Sequence, residues 1–266
     1  MRAPRDPYPA AAHPGCGRGR LLPRVAAVIA AATLSLGASA SQGSADLPPP
    51  TAGAVVLLHG LARGSTSMAR MAGTLRAAGY RVCNVAYPSR QHTVEVLAER
   101  YVAPAVAECY PDPVEPIHFV THSLGGIILR HLAADGAPIP IGRVVMLGPP
   151  NRGSEVVDVL REQWLFQALN GPAGSQLGTG AHALPEQLGP PPFAVGVIAG
   201  TRSVNGILSM LIPGPDDGKV AVERAGVDGM ADFVVLPASH TFMMLDAAVL
   251  RQTKHFLAHG AFERRS

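Results

Sequence analysis

Residues 117–134 decide the reading: Ile117-His118-Phe119-Val120-Thr121-His122-Ser123-Leu124-Gly125-Gly126, then Ile127-Ile128-Leu129-Arg130-His131-Leu132-Ala133-Ala134. The short β-branched and aromatic run at the front predicts a strand over 117–121, and the apolar residues that follow repeat with helical period over 125–134. Only a sharp turn fits between them, with Ser123 at its apex and small residues beside it. A strand-to-helix turn this tight lifts a serine hydroxyl clear of the sheet, as a nucleophile requires. The usual pattern for such a turn is G-x-S-x-G, and Thr121 stands where its first glycine would be. Taken by itself, Ser123 would also serve as a helix N-cap.

Outward from this stretch, short apolar runs alternate with longer helical ones. Strands are expected at 54–59, 81–87, 117–121, 144–147, 193–199 and 233–237; helices at 65–78, 93–110, 125–134, 155–169 and 241–258. Such alternation predicts an α/β domain with a parallel sheet and crossover helices. Residues 171–192, rich in Gly and Pro, and 201–218, where an apolar run meets Pro213, Gly214 and Pro215, break the pattern. Both read as loops or cap pieces over a site.

Partners for Ser123 stand in a workable order. The first strand runs into His59-Gly60-Leu61, a loop able to aim a backbone N–H. Behind a serine on such a turn, the oxyanion is held by an N–H of that loop and by the N–H of the residue after the serine, here Leu61 and Leu124. His59 is read as orienting the loop and not as the base. Downstream, Asp216-Asp217-Gly218 precedes the last strand, and His240 ends it, giving the order Ser123, Asp217, His240 for nucleophile, acid and base. Asp217 is favoured because Gly218 permits a turn that aims its carboxylate inward, leaving Asp216 a solvated loop charge. Asp228 and Asp232 are weaker rivals, and His255 and His259 read as surface residues of the final helix.

Together His59-Gly60-Leu61, Thr121–Gly126, Pro149–Ser154, Pro213–Val220 and Ala238–Met244 resemble the small bacterial α/β-hydrolase lipases and esterases, over residues 54–259. The resemblance implies an α/β-hydrolase fold: a mostly parallel central sheet of about six strands flanked by helices, with a small cap or loop region at 151–192. Related lipases carry the catalytic aspartate in an N-D-G-x-V segment, which Asp217-Gly218-Lys219-Val220 matches with Asp216 in place of Asn. It also implies hydrolysis of carboxylic esters without a cofactor; some relatives hold a structural calcium, but the scattered aspartates here give no clear ligand set, so no metal is expected. The expected substrate is a small-molecule or lipid ester, met in transient contact with a lipid surface. Leu61, Leu124, Trp164, Leu165, Phe166 and residues 207–212 are candidates to line an acyl pocket. Asn151-Arg152-Gly153-Ser154 reads as a turn in which Ser154 caps the next helix. The same triad would equally suit an acyltransferase, thioesterase or amidase, and more remotely the scaffold could serve a non-catalytic binding protein.

Charge placement narrows partners further. The 266 residues carry 22 basic and 19 acidic side chains, but Arg2, Arg5, Arg18, Arg20 and Arg24 face only Asp6 within residues 1–40. The remainder holds 17 basic and 18 acidic residues and is near neutral, with one Trp, so the footprint of nucleic-acid binding is missing. An Arg-rich start, an apolar run at 25–38 and Ala38-Ser39-Ala40 read as a signal peptide over 1–40, with a linker at 41–53, the catalytic domain at 54–260 and a tail at 261–266. Export to the periplasm or beyond is expected, an uncleaved N-terminal membrane anchor being the alternative. Cys83 and Cys109 would then meet an oxidising compartment, either bridged or as small buried hydrophobes.

Overall fold

The computed structural model describes residues 53–264 except Val114 and Asn205. The signal peptide and most of the linker expected at 1–53 lie outside the described residues. Strands are β1 (Ala54–Leu58), β2 (Arg81–Val85), β3 (Ile117–His122), β4 (Ile141–Leu147), β5 (Val195–Arg202) and β6 (Asp232–Ser239). They form one sheet in the order β2-β1-β3-β4-β5-β6, every pairing parallel. Helices are α1 (Ala69–Ala77), α2 (Val94–Leu97), α3 (Ala103–Cys109), α4 (Leu124–Ala134), α5 (Glu155–Leu160), α6 (Trp164–Ser175), α7 (Leu184–Gln187), α8 (Gly206–Ser209), α9 (Val222–Ala225) and α10 (Ala247–His259).

Both faces of the sheet are covered, so its strands read as continuous apolar runs. Along β1, Val56 and Leu58 pack with Phe119, Ile127 and Ile128 on one side, while Val55 and Leu57 pack with Val120, Leu147 and Phe256 on the other. Burial of each such side chain contributes about 1.5–3 kcal/mol. Cys83 of β2 is disulfide-bonded to Cys109 at the end of α3, with Cα atoms 6.2 Å apart. Closing that span of 26 residues restricts the unfolded chain by about 3–4 kcal/mol, and it pins an edge strand.

Elements depart from the expected bounds for local reasons. The helix expected at 93–110 carries a π-turn at Ala98–Val102, immediately before Pro104. Proline lacks an N–H and crowds the preceding turn, which the wider turn relieves. The helix expected at 155–169 is two, α5 and α6, and α6 extends to Ser175 through a kink at Gly171-Pro172. Residues 171–192 are therefore not all loop, since α6 enters them and α7 lies within them. The last helix begins at Ala247, where the Asp246 carboxylate accepts from the N–H groups of Ala248 and Val249.

Candidate active site

The chain departs from β1 in one direction to form β2 and in the other to form β3, so the carboxyl ends of β1 and β3 flank a topological switch point. Ser123 follows β3 there. It occupies φ 51°, ψ −120°, outside the regions open to most side chains, and its own N–H donates to Leu147 O at 2.9 Å. This strain of a non-glycine residue, held by the surrounding sheet and helix, is typical of functional turns. Thr121 is accommodated from the helix side: a Cβ on Gly126 would come within 3.2 Å of Thr121 Oγ1, so the missing side chain at 126 makes room for the extra one at 121.

His240 joins the two other groups. Its Nε2 lies 3.0 Å from Ser123 Oγ, and its Nδ1 lies 2.8 Å from Asp217 Oδ2. With Nδ1 protonated, the ring donates to the carboxylate and presents an acceptor to the serine hydroxyl. Asp217 Oδ1 accepts from the N–H groups of Lys219 and Val220, and its carbonyl accepts from the His240 N–H at 2.9 Å. Gly218 at φ 99° makes that turn. Three segments far apart in sequence thus converge on one ring. The carboxylate is all but removed from water, so its charge acts at low dielectric on the imidazole.

Gly148, just past β4, was not singled out by the sequence. At φ 52° it has no side chain, and a Cβ there would lie 2.8 Å from Asp217 Oδ2 and 3.1 Å from His240 Nδ1. His122 was also missed. Its Nε2 donates to His240 O at 3.0 Å, while its Nδ1 is buried without a partner among the described residues. Burial, then the neighbouring His240, holds its pKa well below the ordinary histidine range, so the ring stays neutral.

Asp216 is not a solvated charge. It is 9% exposed, and its carboxylate accepts from Ser209 Oγ at 2.6 Å and from the Gly218 N–H at 2.7 Å, tying α8 to the Asp217 turn. Asp228 pairs with Arg152, and Asp232 accepts from the Phe262 N–H and from Arg264. Neither approaches the site. His255 is bonded to Ala261 O near the end of α10. His59 stacks on Tyr87, with ring centroids 3.9 Å apart, and its carbonyl accepts from the Tyr87 hydroxyl. Its ring thereby braces the loop that carries Leu61. Leu124 is the first residue of α4, where an N–H has no partner within the helix.

A cavity of about 250 Å³ opens on Ser123 and His240. Leu61, Phe166 and Leu208 line it as expected, joined by Val156, Val157, Leu160, Leu169, Leu177 and Val220. Leu124 lies instead in the core beneath the turn, and Trp164 and Leu165 point to solvent, Trp164 being 75% exposed. Ser154 occupies the N-cap position of α5 without capping it. Its hydroxyl donates to Lys219 O at 2.6 Å, because the backbone of the Asp217 turn passes within reach.

This architecture is the α/β-hydrolase fold of lipases and esterases. A mature-form lipase, BlEst2 from Bacillus licheniformis, superposes with a TM-score of 0.63 at 20% identity, covering 81% of this chain and 94% of that one. Phospholipase PlaB from Legionella pneumophila, bound to thio-NAD, gives 0.61 at 18% identity over 77% of this chain and 57% of its own. A metagenome-derived structure described under the lipolytic enzymes LipS and LipT gives 0.54 at 17% identity, covering 79% and 95%. No protein-family model matches the chain, and no curated protein matches it.

Proposed function

We propose that the chain is a serine esterase or lipase that cleaves carboxylic esters of apolar acids through an acyl-enzyme. The observation that carries this reading is the His240 ring bridging Ser123 Oγ and the Asp217 carboxylate at 3.0 and 2.8 Å, at the mouth of an apolar cavity. Ser123 Oγ attacks the ester carbonyl as His240 Nε2 takes its proton, and the N–H groups of Leu61 and Leu124 hold the oxyanion. Collapse expels the alcohol, which receives that proton from His240. Water, deprotonated by the same ring, then attacks the acyl-enzyme, the acid departs and Ser123 regains a proton. Asp217 keeps Nδ1 protonated and stabilises the imidazolium.

Segments α5, α6 and α7 act as the cap over the acyl site, within a catalytic domain of residues 54–260. Secretion or a periplasmic location accords with the Cys83–Cys109 bridge, which needs an oxidising compartment. Transient contact with lipid is supported by Trp164, Leu165, Leu169, Ile207 and Met210, all large, apolar and exposed on or beside α6 and α8.

Turnover of a p-nitrophenyl acyl ester by the wild type and by Ser123→Ala tests the reading. The variant should lose on the order of 10⁴-fold or more in kcat. Undiminished turnover would end it.

A further inference from the structure

Two cations face the cavity that holds Ser123 and His240. Arg63 lines it from the loop after β1, and Lys219 lines it from the turn that carries Asp217. Arg63 is held at its head and Lys219 at its backbone. The Arg63 guanidinium donates to Thr241 O at 2.8 Å, which fastens it beside the residue following the base. Lys219 has both of its peptide groups held, its N–H by Asp217 Oδ1 and its carbonyl by Ser154 Oγ, while its side chain remains exposed at the cavity.

Among the described residues neither cation has a carboxylate within ion-pair distance. Two like charges at the edge of an apolar cavity, with Asp217 as the nearby acid already engaged by His240 and two backbone N–H groups, attract an anion.

The position of Arg63 says which end of the substrate carries it. The alcohol leaves toward His240 Nε2, because that atom returns the proton, and Arg63 is anchored at Thr241 on the same side. The acyl side is supplied by Val156, Val157 and Leu160 of α5, Phe166 and Leu169 of α6, and Leu208 of α8.

We propose that this site, given the ester hydrolysis argued above, takes single-chain amphiphiles whose alcohol half bears an anionic group, with Arg63 and Lys219 as the specificity-determining pair.

The test compares kcat/KM of the full chain on 1-acylglycerol, 1-acylglycerol 3-phosphate and 1-acylglycerol hemisuccinate, all of one acyl length below their micellar concentrations. At low ionic strength the anionic esters should be turned over at least tenfold more efficiently than the neutral one, and added salt should shrink the ratio. A preference for phosphate alone would assign the pair to a phosphate headgroup, and equal preference for both anions would assign it to negative charge in general. Lys219→Gln, a change at an exposed side chain, should lower the ratio severalfold, Lys219→Glu should reverse it, and Lys219→Arg should keep it. Arg63→Gln should act in the same direction. Equal turnover of neutral and anionic esters by the wild type would overturn the proposal while leaving ester hydrolysis standing; no turnover of any ester would remove hydrolysis itself.

Discussion

Gly148 shows how narrowly the site is framed at the scale of one residue. It donates nothing to the chemistry, yet its missing side chain is what lets the Asp217–His240 pair close over β4. Gly148→Ala should therefore lower kcat on the order of 10²-fold with a smaller change in KM, since a displacement of about 1 Å between reacting groups costs about that much. Its φ of 52° adds strain for any larger residue, so an equilibrium unfolding measurement should accompany the kinetics. Unaltered kcat in a folded variant would contradict the geometry. Nothing in the sequence around Gly148 marks it, because its importance lies in contacts with residues 69 and 92 positions later. Ser123, Asp217 and His240 could be read as candidates because each sits at a strand end or turn in a workable order, although Thr121 weakens the pattern around Ser123 and Asp216 stands beside Asp217. The same logic separates Asp217 from Asp216, where only the structure gave Asp216 its partners, Ser209 and Gly218.

At the scale of elements, strands were easier to read than the connections that cover them. Runs such as Ala54–Leu58 are buried on both faces and carry an unbroken apolar signal. Segment α6 carries a mixed signal, because one side lines the cavity and the other meets solvent, and because Gly171 and Pro172 interrupt the helical pattern. Trp164 illustrates the consequence: apolar, expected in the acyl pocket, and yet exposed on the outer side of α6. Being the single Trp of the chain, it offers a direct reporter. Titrating the protein with lipid vesicles should shift its emission to the blue as the ring leaves water. An unshifted spectrum at saturating lipid would remove the lipid-surface contact from the account.

For the whole molecule, buried histidines couple stability to pH. His59 and His122 both have pKa values held below the unfolded value near 6.5, each chiefly by burial. Below about pH 6.5 the unfolded chain binds their protons and the folded chain does not, so stability is greatest above that pH and falls as acid is added. His122, whose pKa lies well below that value, should cost about 1.4 kcal/mol per pH unit at most between its folded and unfolded pKa values, and His59 adds in the same direction. Urea unfolding at pH 7 and pH 5 measures it, and His122→Asn should flatten the slope. Stability that rises on acidification would contradict the assignment of these rings as neutral.

The central claim is that Ser123 is activated by His240 and Asp217. A fluorophosphonate probe reports it directly, since phosphonylation requires a serine oxygen made nucleophilic by its base. Intact mass and peptide mapping should find one adduct, on Ser123, absent from Ser123→Ala and formed far more slowly in His240→Ala and Asp217→Ala. A folded wild-type protein left unlabelled, or labelled equally fast without His240, would contradict the account.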